Sequence, residues 1–520
     1  MSTNDIFDTI NQYSMEEYFS RFGEIENRLQ SLEDELKIYT VEQRNAILKE
    51  VDQWSEQSKP FCRIHLLSFC MKVSGDSCYT EKLLKEVLKA EYNDVGEYSK
   101  LSHFEQISTA VFQHPQLGTA GVELLLAKLY KELVAVFMQC FSLEGRNYIP
   151  IEERNKSLVF VFINQVLGMN HAPTKTLLDR CYVLKKILGK EVYIVNTAMM
   201  IPAKGQAPFY GLVNASYNPE FTRCNELEFR GEHFRFHQCS SNMPDLEEIA
   251  NLICLVIREK PYYLLDIGGA DICADLCGLF TPQITISTVF SKIAMSCGEY
   301  QIVDKELNED DCNKLKILGV EPEKVIRTMF TFSFKEQTHC FTRENLGLPR
   351  DRFILLVVGW RLDEEVDDEF LEMLEHTVKE QEKIVVAFMG RFTNFAEKMV
   401  PFPVLRTCAY NLGEQSDALA VIETCDLYVN PRRNGGGSSV AEALYKGLPV
   451  VTLPIGDVSV AAGVEFQVKD YTEMKQKIIK YCVNSVYYEE MSQKAVERAM
   501  RLLDSGSAFG NTVQKLEELF

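Results

Sequence analysis

Residues 426–456 constrain the fold more than any other stretch of the chain. They read Asp426-Leu-Tyr-Val, a glycine-rich segment Asn430-Pro-Arg-Arg-Asn-Gly-Gly-Gly-Ser-Ser439, a helical run through Glu442, the turn Lys446-Gly-Leu-Pro449, and Val450-Val-Thr-Leu453. The two apolar runs are short and continuous, the pattern of strands buried on both faces. A strand, a loop, a helix and a second buried strand in this order form a crossover unit, which demands a parallel sheet. Glycines let backbone N–H groups approach a ligand without a Cβ in the way. A helix opening straight after them turns free N–H groups and its positive dipole end toward an anion. A phosphate or diphosphate suits that place.

The same alternation recurs along the chain. Leu158-Val-Phe-Val-Phe-Ile163, Val192-Tyr-Ile-Val-Asn196, Tyr262-Tyr-Leu-Leu-Asp-Ile267 and Ile284-Thr-Ile286 read as strands, with helices at 174–187 and 245–258 between them. Residues 208–240 break this rhythm. Their aromatic and charged alternation (Phe229, Phe234, Phe236) predicts an antiparallel hairpin insertion. A second series runs through Phe353–Val358, Ile384–Phe388, Asp426–Val429 and Val450–Leu453. Residues 333–352 read as the connection between the two sheets, and the tail 471–520 as helical with a break at 505–507.

Residues 1–150 differ. They hold three prolines, Pro60, Pro115 and Pro150. Phe22, Ile25, Leu29, Leu32 and Leu36 form one apolar stripe at helical spacing, and Val122, Leu125, Leu129, Leu133 and Phe137 form another. The first stripe suits a helix packed on its neighbours or a seam for a partner or a second copy. It spans about two heptads, short of a sustained coiled coil. The resulting organisation is α/β, with two doubly wound Rossmann-like domains behind an all-helical region: 1–150 helical, 151–335 the first α/β domain, 336–520 the second with its terminal helices. Two such domains in tandem leave a cleft at the carboxyl ends of their strands.

Bulk properties exclude some roles. A net charge of −20 over 520 residues argues against general nucleic-acid binding. No apolar run reaches the ~18 residues a transmembrane helix needs, and the first residues lack a signal-peptide pattern. The sixteen cysteines form no Cys-x-x-Cys pair, so reduced thiols in the cytoplasm fit best. His233 and His237 invite a metal reading on one strand face, but no third ligand is evident nearby in sequence, and no metal is expected.

The second α/β domain resembles the nucleotide-binding domain of the GT-B glycosyltransferases, most of all their large retaining family 4. Asn430-Pro431 stands at that family's Pro-Ser, and Asn434-Gly435-Gly436-Gly437 at its Glu-Gly-Phe-Gly. Glu442-Ala-Leu444 matches its second Glu, and Lys446-Gly-Leu-Pro-Val-Val451 its closing motif. Gly359-Trp-Arg361-Leu resembles its Gly-Arg-Leu, and Asn411-Leu412-Gly413 its base-facing loop. The likeness covers residues 350–500 well and the helical region not at all. Two positions depart: Asn434 replaces the Glu that contacts the donor sugar, and Val366 replaces the Lys that helps neutralise the diphosphate. The architecture of a helical domain before GT-B also resembles bacterial cytoplasmic enzymes that glycosylate adhesins.

The resemblance implies a metal-independent glycosyltransferase using a nucleotide-diphosphate sugar, a UDP-linked one by preference, with a protein or surface glycan as acceptor and no cofactor. A non-catalytic glycosyltransferase-like subunit is the alternative. Glu442 is then a ribose ligand, against a plain first-turn Glu favoured by the dipole. Gly435, Gly436, Gly437, Ser438 and Ser439 cradle the diphosphate, against a simple N-capped loop. Arg361 pairs with the diphosphate, against a surface salt bridge to Asp363 or Glu364. Leu412 lies by the base. Asn434 keeps a hydrogen bond to a sugar hydroxyl. Of Arg432 and Arg433, one faces the ligand and the other solvent. His171, in the loop after the first strand, is either a group facing the donor across the cleft or a structural hydrogen-bonder. Thr174 and Lys175 open the next helix, with phosphate contact weighed against an N-cap. Gly268 and Gly269 form a turn that suits either a cleft contact or a tight strand-to-helix corner.

Overall fold

The computed structural model describes residues 10–91, 98–169, 171–200, 208–214, 217–289, 291–334 and 336–520. Thirteen strands form two sheets among the described residues. The first sheet contains β1 Asn155–Ile163, β2 Glu191–Asn196, β3 Glu226–Phe229, β4 Glu232–Gln238, β5 Pro261–Ile267, β6 Gln283–Ile286, β7 Tyr300–Val303 and β8 Val325–Arg327. Its order is β3-β4-β2-β1-β5-β6-β7-β8. Only β3 runs antiparallel, and the expected hairpin β3–β4 extends the sheet edge beside β2. The second sheet contains β9 Phe353–Gly359, β10 Ile384–Gly390, β11 Ala409–Gly413, β12 Leu427–Val429 and β13 Val450–Val451. It is parallel throughout, in the order β11-β10-β9-β12-β13.

β1 explains why the helical region stays attached. Side chains alternate across a strand. Val159, Val161 and Ile163 join the core shared with the helix Ala172–Tyr182 and the chain's tail, whereas Leu158, Phe160 and Phe162 join the core of the helical region. The amino-terminal helices therefore cover one face of the first sheet and share its core. The long helix Ala120–Cys140 is pinned there by polar contacts as well. Glu123 takes Lys292 and Lys314, each at 2.9 Å, and the Tyr130 hydroxyl donates to Asp275 at 2.7 Å. Ile25, Leu29, Leu32 and Leu36 are buried among the chain's own helices, so that stripe is a packing face.

The tail returns to the first sheet. Phe520 packs edge-on against Tyr262 and at a tilt against Tyr263 and Tyr300, and Glu517 pairs with Lys190 at 2.8 Å. Buried Arg180 meets Asp179, Thr331 and Ser505. Residues 505–520 thus belong to the core of the first domain, although they follow the second in sequence. Among the described residues no helix is long and apolar enough to cross a membrane.

Candidate functional site

The glycine-rich segment follows β12 and opens the helix Gly437–Tyr445, whose N-cap is Gly436. Gly436 has φ +101°, and a Cβ there would stand 2.7 Å from the Arg433 guanidinium. Glycine is required on both counts. Arg433 is the pillar beneath the loop: it is buried and donates to Asn430 at 2.8 Å, Glu365 at 2.8 Å and the Tyr428 hydroxyl at 2.9 Å. It does not face solvent, and its Nε and both terminal nitrogens are each hydrogen-bonded. Arg432 lies outward, with Glu369 at 3.4 Å and its guanidinium 5.6 Å from the Tyr471 ring. Ser439 turns its hydroxyl back to Tyr428 and Gly436, so it braces the loop.

Arg361 follows β9 at the sheet's carboxyl edge. It pairs with Glu365 at 2.8 Å, whereas Asp363 accepts the amides of Thr393 and Asn394. Glu365 therefore bridges Arg361 and Arg433 and aligns two guanidiniums along the loop. The Nε of Arg361 is buried without an acceptor. Glu442, in the second turn of the glycine-loop helix, is buried and meets Lys175 of the first domain at 3.4 Å across the cleft. Burial pushes its carboxyl above the ordinary range, and Lys175 pulls it part of the way back.

His171 is the N-cap of the helix Ala172–Tyr182, with Nδ1 3.5 Å from the Thr174 hydroxyl. Burial, then the charges of Arg361 and Lys175, lower its pKa to about 4. It is a neutral imidazole at neutral pH, set among cations. Thr174 is fully buried and has no opening to the cleft, while its neighbour Lys175 reaches it. Gly268 and Gly269 both have positive φ, and a Cβ on Gly269 would lie 3.0 Å from Ala294 and Met295. Their turn is a tight corner packed against 294–295. Leu412 is the next-to-last residue of β11, half-buried at the edge of the second sheet.

Three contributors had no clear sequence signal. Glu365 stands four residues after Arg361, and the short helix Leu362–Glu365 turns that spacing into an ion pair. Phe112 and His114 come from the helical region. The Arg361 guanidinium lies 5.0 Å from the Phe112 ring, and burial, then Lys72 and Arg361, lower the His114 pKa. Asn434 turns its amide to the same segment, donating to the carbonyls of Phe112 at 3.0 Å and Val111 at 3.3 Å. Elsewhere, His233 pairs with Glu226 at 2.8 Å, while His237 groups with Cys239 and Glu248. Their ligand atoms lie within 4.8 Å of one another, and Glu248 already accepts the Ser240 amide.

Over its whole length the chain is similar to a mutant O-GlcNAc transferase from Thermobaculum terrenum, at 13% identity and a TM-score of 0.52, covering 100% of this chain and 98% of that one. The fold is GT-B. A Rickettsia africae glycosyltransferase matches at 13% identity and a TM-score of 0.49, over 70% of this chain and 98% of that one. Anabaena HepE, solved with UDP, matches at 10% identity and 0.49, over 70% and 100%. No protein-family profile and no curated protein matches the sequence. In this GT-B chain Glu442 and Arg361 of the second α/β domain meet Lys175 and His171 of the first, and the end of the helix Ser99–Gln113 reaches the same place through Phe112.

Proposed function

We propose that the chain is a glycosyltransferase that moves a sugar from a UDP-linked donor to a protein or surface-glycan acceptor in the cytoplasm. The observation that carries this reading is the convergence across the cleft: Glu442 and Lys175 at 3.4 Å, beside Arg361 and the amino end of the Gly437–Tyr445 helix. A carboxylate suits a ribose diol, and a guanidinium, an ammonium and free amides suit a diphosphate.

As the bond from the sugar's anomeric carbon to the diphosphate breaks, negative charge grows on the departing oxygen. Arg361, Lys175 and the amides of 437–439 would hold that charge, work that needs no divalent metal in this reading. The acceptor hydroxyl forms the new bond and gives up its proton. In this reading His171 takes that proton or donates to the phosphate. A bound diphosphate adds negative charge beside the imidazole and raises its pKa from about 4 toward the working range.

A second reading, a non-catalytic subunit of the same fold, draws on Asn434, whose amide serves the helical region. A screen of purified protein for UDP release from UDP-linked sugars separates the two. Release that depends on Arg361 supports the transferase. Absence of turnover with every sugar nucleotide and acceptor, despite tight UDP binding, supports the subunit.

A further inference from the structure

The end of the helix Ser99–Gln113 is unusual in what it touches. The last carbonyls of a helix have no partner within it. Here those of Val111 and Phe112 are met from the second α/β domain by the Asn434 amide, at 3.3 and 3.0 Å. The Phe112 ring reaches the glycine-rich loop: its Cζ lies 3.3 Å from where a Cβ on Gly435 would sit. The ring is only half-buried, and the Arg361 guanidinium stands 5.0 Å from its centroid. Arg361 is thus fixed by Glu365 at 2.8 Å and by the Phe112 face, while its buried Nε has no acceptor.

From this geometry we propose that Phe112 is a positioning residue for Arg361, and that Asn434 holds Phe112 in place by capping its helix from across the cleft. The inference rests on the donor-site reading above, and it gives the helical region a part in donor binding. An aromatic face attracts a guanidinium without forming a hydrogen bond. It therefore orients Arg361 while leaving its donors for phosphate oxygens. An apolar side chain of the same bulk fills the space but offers no such face. The same geometry accounts for Asn at 434. A Glu there would set a carboxylate against helix carbonyls and the negative end of the helix dipole.

The test is calorimetric titration of the full chain with UDP and with uridine. Phe112→Leu should raise the UDP Kd about threefold to thirtyfold, with uridine affinity unchanged. Phe112→Tyr, which restores the aromatic face, should bind UDP within about twofold of the wild type. Asn434→Glu should weaken UDP in the same direction as Phe112→Leu, and it decides alone if Phe112→Leu does not fold. Wild-type UDP affinity in Phe112→Leu and Asn434→Glu, while Arg361→Ala weakens it, would overturn the positioning role and leave the donor site standing. Wild-type affinity in Arg361→Ala and Glu442→Ala as well would overturn the donor site itself.

Discussion

Removing the Glu442 carboxylate gives the sharpest separation of ribose from diphosphate recognition. Glu442 is buried, so the cost of stripping its water is met on folding and not on binding. In the proposed complex it accepts two hydrogen bonds from the ribose diol. A hydrogen bond to a charged group contributes about 1.5–3 kcal/mol. Lys175, at 3.4 Å, competes for the same carboxylate and reduces the net gain. About 3 kcal/mol should be lost in Glu442→Ala, roughly a hundredfold in Kd. Calorimetry should find that loss for UDP and for uridine, with inorganic pyrophosphate bound as in the wild type. The fold should survive, because Lys175 retains access to water at 22% side-chain exposure. A UDP Kd within about threefold of wild type in folded Glu442→Ala would refute the ribose assignment.

The diphosphate side has the converse signature: Arg361→Ala should weaken UDP about tenfold to a hundredfold and leave uridine unchanged, and equal losses for both ligands would count against it. Gly436→Ala forces a Cβ to 2.7 Å from Arg433 at φ +101°, so it should cost about 1–3 kcal/mol of stability and weaken UDP, as read by thermal melting and calorimetry; wild-type behaviour would refute the pillar account. Asp457 is buried beside Ser291, and burial pushes its carboxyl up to about 8 from the ordinary 3.8. A folded pKa raised in this way gives stability that is complete below 3.8 and lost as the pH rises toward 8. Asp457→Asn should therefore raise the melting temperature at pH 8 and leave it near wild type at pH 4, and an equal shift at both would contradict the burial argument.

The parallel α/β sheets were legible because buried strands write themselves as continuous apolar runs. β1, β2, β5, β9, β10 and β12 each carry one. β7, β8 and β11 were missed: Tyr300–Val303, Val325–Arg327 and Ala409–Gly413 are short, β8 and β11 lie at sheet edges, and periodicity has little to act on over three to five residues. The return of residues 505–520 to the first sheet was also invisible, since nothing local in a helix records which distant sheet it will cover. In the site, the glycine loop, Glu442 and Arg361 lay in motifs and were readable. The burial of Arg433 was not, because an arginine under a loop looks like an arginine beside one until Glu365, Asn430 and Tyr428 are brought to it. Phe112 lies 249 residues before Arg361 (361 − 112) and could be found only by folding the chain.

In the proposed site a nucleoside diphosphate is held by the Gly435–Ser439 loop, Arg361 and Glu442. Titration of the full chain with UDP tests it most directly. One UDP should bind per chain, more tightly than uridine, with the difference reduced about tenfold to a hundredfold in Arg361→Ala. No binding of UDP, of any other nucleoside diphosphate or of any sugar nucleotide would contradict it.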